Sequence, residues 1–181
     1  GRRRRRVRPR RHRQRPRIRR MERGPAHPRS VEETADHLYA LPREQFISSR
    51  DVAVRDLRAT ARADEAAVIR TLKKPTAAAW ALNVLVREDR VQVDALLAVG
   101  DELRRAQRAL SGDQLRALSG QRHDVVRAVA ARAAGLAAAA GHPLSSAGVD
   151  QVARSLDAAL ADPAAAEVLL SGRVTAELTY A

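Results

Sequence analysis

The stretch LKKPTAAAWALNVLV, residues 72–86, decides how this chain folds. Leu72–Lys73–Lys74 ends one helix and Pro75–Thr76 opens the next. Proline lacks the amide that would continue a helix, and threonine accepts from the free N–H groups of a first turn. Over residues 76–87 apolar side chains point in nearly every direction around a helical wheel. A helix apolar on all sides is surrounded by other elements. Trp80 is then the largest core side chain, and Asn83, one turn on, needs hydrogen-bond partners if it is buried.

The flanking sequence supplies the neighbours. Val93, Leu96, Gly100, Leu103, Ala106 and Leu110 recur at three and four, as do Leu115, Leu118, Arg122, Val125, Val129, Ala133, Leu136 and Ala140. Between them Ser111–Gly112–Asp113–Gln114 has capping form. The spacing predicts two long helices joined by a tight turn and packed antiparallel, the second continuous through Ser119–Gly120. Gly141–His142–Pro143 is a stop. Helices over 147–161 and from Asp162–Pro163 to about Leu170 follow, and Tyr180 anchors a last turn. Upstream, Ser30 and Glu33 form a capping box for a helix over 31–39. Pro42 then leads into a helix over 43–62 with Phe46, Ala53, Leu57 and Ala61 on one side and Arg50 on the same stripe. Asp64 is expected to cap a helix over 65–72. Strand signals are nearly absent. The expected fold is all-α: a bundle of six to eight helices with a central long antiparallel hairpin. It occupies residues 30–181 and follows an Arg-rich tail over 1–29.

Charge divides at the same place. The chain carries 34 Lys+Arg against 21 Asp+Glu, net +13, yet residues 1–30 hold 15 Arg and a single acid, Glu22. The remainder has 19 basic and 20 acidic residues, a balanced surface. With no Cys, thiolate catalysis, thiolate metal sites and disulfides are excluded. No apolar run approaches the ~18 residues of a membrane span. The aromatics are Tyr39, Phe46, Trp80 and Tyr180. A core made mostly of Leu, Val and Ala relies on close helix approach.

The tail contains Arg2, Arg3, Arg4, Arg5, Arg6, Arg8, Arg10, Arg11, Arg13, Arg15, Arg17, Arg19 and Arg20, with no Lys and no acid over residues 2–20. Repulsion at this charge density, together with Pro9 and Pro16, predicts disorder. Two main readings follow. Met21 directly follows the run, and Arg without Lys is what GC-rich codons give when untranslated DNA is read as protein, so the run is a mis-assigned translation start. Alternatively it grips DNA or RNA phosphates without sequence preference, with steep salt dependence. Other polyanions, or a membrane surface, are the lesser option.

The pattern Leu38–Tyr39, Leu41–Pro42, Phe46, Arg50, Leu57, Leu72, Lys74–Pro75–Thr76, Ala79–Trp80 and Asn83 resembles a family of all-helical proteins from high-GC bacteria. The likeness extends over most of residues 36–177, and LKKPTAAAWALN is its most specific part. It implies a helical fold and, as the family has no established activity, assigns no catalytic residue.

Candidate chemistry is sparse. His12, His27, His37, His123 and His142 lack the i, i+4 spacing of a helical zinc site. His37 and His123 are read as solvated or capping residues, with a meeting in space as the alternative. No phosphate-cradling Gly motif or nucleophile elbow is present. Lys73, Lys74 and Thr76 form a candidate anion site beside a helix N-terminus; the plainer reading has the lysines finishing one helix and Thr76 capping the next. Trp80, Asn83 and Arg50 line either a pocket or the core. The hairpin's arginines, net +3 over 101–140, read as a solvated face. The expected function is a non-catalytic cytoplasmic binding or scaffold protein for an unidentified protein partner. The alternative is nucleic-acid binding through the tail. No enzyme activity, metal, cofactor or membrane is expected.

Overall fold

The computed structural model describes residues 29–109 and 112–180. Among these the chain is all-α, with eight α-helices and no strand. The helices are α1 (Val31–Ala40), α2 (Phe46–Ala59), α3 (Ala63–Arg70), α4 (Ala77–Glu88), α5 (Arg90–Arg108), α6 (Gly112–Ala139), α7 (Ser146–Ala161) and α8 (Pro163–Leu170). The arginine run and Ser111 lie outside the described residues.

Local chemistry sets most boundaries. Ser30 accepts from the Glu33 amide while the Glu33 carboxylate accepts from the Ser30 amide, a complete capping box. Thr76 caps α4 through the Ala79 amide, and Asp162 caps α8 with Pro163 in its first turn. The long hairpin forms as expected, and α6 runs unbroken through Ser119–Gly120.

Three expectations are corrected. The helix expected over 43–62 is a 3-10 turn at Arg43–Gln45 followed by α2. It ends early because the Thr60 hydroxyl donates to the Asp56 and Leu57 carbonyls and Ala61 turns left-handed, φ 58°. Asp64 lies inside the first turn of α3, not at its cap. Arg62 precedes that turn, and its guanidinium clasps the Glu65 carboxylate with both arms. Residues 173–180 form no last turn, and Tyr180 is 63% exposed. The anchor is Val174, 1% exposed.

Two apolar cores result. The smaller joins Leu38, Tyr39, Phe46, Val54, Leu57, Ala66 and Ile69 of α1–α3. The larger is gathered around α4, where Ala78 through Val86 are buried except for half-buried Val84. It draws on Val93, Leu96, Val129, Ala133, Val152, Leu156 and Leu169 from the surrounding helices. These small side chains require close helix approach. The limit is reached where α5 crosses α7: a Cβ on Gly100 would stand 2.2 Å from the Leu160 carbonyl oxygen. The same carbonyl accepts from Arg104 at 2.7 Å, which satisfies one of the free acceptors at the end of α7.

Trp80 joins the two cores. Its body is buried, 4% exposed, and its indole N–H donates to the Leu41 carbonyl at 3.0 Å. Tyr39 donates to the Lys73 carbonyl and Arg43 to the Pro75 carbonyl along the same seam. Asn83, fully buried, donates to the Val174 carbonyl at 2.9 Å and accepts from the Val174 amide at 2.7 Å. The C-terminal segment is thereby pinned across α4, and Ser155 accepts from the Leu178 amide further along.

Candidate anion-binding groove

α2 and α3 pack side by side, and a groove of about 410 Å³ opens between them. Arg50, Asp51, Val54, Arg55, Arg58 and Arg70 line it. On α2 these positions follow a helical period, with Asp51, Val54, Arg55 and Arg58 at i, i+3, i+4 and i+7. Val54 forms the buried floor and the arginines form the wall. Arg58 and Arg70 occupy the last turns of α2 and α3, where the carbonyl ends of the helices favour cations.

The groove is electrostatically one-sided: four guanidinium groups face one carboxylate. That carboxylate is engaged, because Arg50 donates to Asp51 from Nε and Nη2 at 3.3 and 3.1 Å. The Arg50 Nη1 donates to the Leu72 carbonyl at 3.0 Å. The side chains of Arg55, Arg58 and Arg70 are exposed and make no hydrogen bond or ion pair among the described residues. A planar guanidinium donates in pairs to a phosphate or carboxylate. The groove therefore carries an excess of unpaired positive charge.

Other grooves in the same molecule provide the contrast. Between α6 and α7, Arg122, Arg127 and Arg154 also surround a groove. There Arg122 is clasped by Asp157, and Arg154 by Glu177 at 2.7 Å. The Asp157 hydrogen bond and charge raise the pKa of Arg122, and Arg154 is held in the same way by Glu177. A cleft of about 510 Å³ between α1 and α2 has Leu38, Ala53 and Leu57 among its lining, with Val52 and Asp56 exposed. It offers more apolar surface than the α2–α3 groove, but its Arg62 is consumed by Glu65 and by a bond to the Arg29 carbonyl at 2.9 Å. Among the described residues the α2–α3 groove thus holds three unpaired arginines, against Arg127 alone in the α6–α7 groove.

The residues singled out by sequence divide between core and surface. Trp80 and Asn83 belong to the core and its seam, and Arg50 reaches Leu72 and Asp51, not Asn83. Thr76 caps α4, while its own amide donates to the Thr175 carbonyl at 3.0 Å. Lys73 and Lys74 are exposed, directly after the Leu72 carbonyl held by Arg50, and neither lines the arginine groove. His37 lines the α1–α2 cleft and His123 the α6–α7 groove, so the two do not meet. His142 lies edge-on to Trp80, ring centroids 5.1 Å apart. Arg2 through Arg20, His12 and His27 fall outside the described residues. Among the described residues no three His, Asp or Glu side chains gather as a metal-ligand set, and no helix is long and apolar enough to cross a membrane.

The spacing does not single out Arg55, Arg58 and Arg70, because they read as ordinary solvated helix faces. A signal is present in RDVAVRDLR, residues 50–58, where Arg55 and Arg58 share a helical face at a spacing of three while Arg50 falls off it. Its value rests on α3 adding Arg70 from the opposite wall.

A polar cluster closes the seam between α1 and the C-terminal segment. Arg173 donates to Asp36 at 2.8 Å and also to Glu32. The Arg173 hydrogen bond holds the Asp36 carboxyl below its ordinary value. Arg87 donates to the Gly172 and Asn83 carbonyls, and burial lowers its pKa. This cluster braces the fold; its donors and acceptors are committed to protein partners. No family model, curated protein or solved structure matches the chain.

Proposed function

We propose that this chain is a helical binding or scaffold protein, not a catalyst, and that an anionic portion of its partner sits in the α2–α3 groove. One observation carries the reading: Arg55, Arg58 and Arg70 converge on a groove whose single carboxylate, Asp51, is already paired with Arg50. Three exposed cations in one concavity repel one another and are relieved by an anion. The guanidinium stays charged at any working pH, so it serves binding and not proton transfer. Fixed helices hold the three positions, and the ligand need not order them.

The test is a titration of the full chain with inorganic tripolyphosphate, followed by NMR of the arginine Nε–H groups. Signals of Arg55, Arg58 and Arg70 are expected to move together, and the variant R55Q/R58Q/R70Q is expected to lose that response. Movement confined to other arginines, with these three unaffected, removes the groove from the proposal.

A further inference from the structure

We infer that the anion held by the groove is a phosphate monoester, carried by a phosphorylated serine or threonine of a protein partner. This rests on the reading of the groove as a binding site and names its ligand. The case is one of charge density. Arg55 and Arg58 stand three residues apart on one face of α2, a rise of about 4.5 Å. Arg70 of α3 lines the same groove. Arg50 and Asp51 are engaged with each other, so these three guanidiniums set the charge a ligand has to meet. A carboxylate brings one charge and two oxygens. Matching three guanidiniums with carboxylates crowds several acids into one short groove, where like charges repel. A phosphate monoester carries a charge of about −1.5 to −2 at neutral pH and three acceptor oxygens on a single centre. Guanidiniums donate to such a group in pairs. The three arginines are exposed, so they hold the phosphate from one side and leave its ester arm free to lead back to the partner.

The lining also limits what carries the phosphate. Among the described residues that line the groove none is aromatic, and Val54, 7% exposed, is the one apolar side chain. A phosphotyrosine ring, whose large apolar face favours burial, gains nothing there. Phosphoserine and phosphothreonine have short stems and need no such surface. No histidine lines the groove either. Histidine is the side chain that ordinarily changes charge between pH 5 and 8. A pH response in that range therefore belongs to the ligand. The second ionisation of a phosphate monoester falls near pH 6, and its dianion meets the three cations best, so binding strengthens as pH rises through that value.

The experiment titrates the full chain with synthetic peptides of one glycine-rich sequence that carry phosphoserine, glutamate, serine or phosphotyrosine at the centre, and with inorganic tripolyphosphate. NMR follows the arginine Nε–H groups and fluorescence anisotropy the affinity. The phosphoserine peptide is expected to move the signals of Arg55, Arg58 and Arg70 together, at concentrations where the serine peptide moves none. The glutamate peptide is expected to bind more weakly, and the phosphotyrosine peptide no more tightly. Affinity for the phosphoserine peptide should rise about fourfold between about pH 5.5 and 7.5, as the dianion grows from about a quarter of the ester to nearly all of it. R55Q/R58Q/R70Q should lose the phosphoserine response. R55K/R58K/R70K should recover only part of it, because lysine keeps the charge without the paired donors. Circular dichroism and melting of each variant show that the fold is retained, as exposed, unpaired side chains allow. Tighter binding of phosphotyrosine than of phosphoserine overturns the short-stem assignment. If tripolyphosphate moves the three arginine signals and phosphoserine does not, or if glutamate binds as tightly as phosphoserine, the groove remains a binding site and the phosphate-ester assignment falls. If no probe moves them, both fall together.

Discussion

The α1–α3 layer and the α4–α8 bundle solve the same packing problem with different side chains. In the first, the Tyr39 and Phe46 rings meet at a tilt of 47°, centroids 5.1 Å apart, and a few large residues fill the space. In the second, alanines and valines bring backbones together until Gly100 meets the Leu160 carbonyl. Arginine use differs in degree, since the bundle also exposes Arg105 and Arg127 with no side-chain bond among the described residues. Half-buried Arg104 and Arg122 in the bundle, and Arg173 after it, are each bonded to a carboxylate or a helix-end carbonyl. The arginines of the α2–α3 groove, apart from Arg50, are left unengaged. The lesson is that arginine content says little about binding. What distinguishes a structural arginine from an available one is whether the fold has already given it a partner.

The contrast can be broken first at the seam. Trp80→Ala removes a large side chain of the larger core and orphans the Leu41 carbonyl, its link to the α1–α3 layer. The expected loss is about 3–5 kcal/mol, and denaturant unfolding should divide into two transitions, the α1–α3 layer first. A single transition of unchanged midpoint breaks the two-core description. Asn83→Ala strips both hydrogen bonds from the Val174 backbone in a fully buried position. Leaving those groups unsatisfied costs about 2–4 kcal/mol in all, and hydrogen exchange at the Val174 amide should accelerate sharply. Gly100→Ala is expected to cost about 1–3 kcal/mol by forcing α5 away from α7, a penalty that thermal melting would detect. The same methyl group on Gly120, which meets nothing within 4 Å, should stabilise slightly or do nothing.

Smaller effects sharpen the electrostatic half of the contrast. The Arg173 bond holds Asp36 below its ordinary value near 3.8. A carboxylate lowered on folding adds stability above its unfolded pKa and loses it as pH falls through the folded value. Asp36→Asn should therefore cost up to about 1 kcal/mol at neutral pH, and wild type and variant should converge in stability only as pH falls below the ordinary aspartate value and through the lowered one. A difference that persists in acid would assign the effect to packing. R55Q/R58Q/R70Q should change stability least, by within about 0.5 kcal/mol, since nothing in the fold depends on those groups. A larger loss would mean they brace α2 against α3 and are not available to a ligand.

Helix order was readable because it depends on neighbours in the chain. Ser30 with Glu33, Thr76 after Pro75, and Asp162 before Pro163 each satisfy amides within three residues, so their effect is encoded locally. The three-and-four spacing from Val93 to Leu136 likewise fixes an apolar stripe before any partner helix is known. Readings failed where a local rule met a tertiary demand. Ala61 fits an apolar period, yet the chain must turn there so that α3 can cover Leu57. Tyr180 is the obvious anchor by size, but the groove over α4 accepts Val174, whose backbone matches Asn83.

Composition, spacing and capping residues thus established an all-helical chain, its element order, its long hairpin and the place where the charge changes. The rigid placement of helices decided the rest: which arginine finds a carboxylate, what Asn83 holds, and that Arg70 faces Arg55 and Arg58 across a groove. The physical reason is range. A cap or an apolar stripe is satisfied within a turn or two of helix, whereas Asn83 and Val174 meet across 91 residues and only once the larger core has formed around α4.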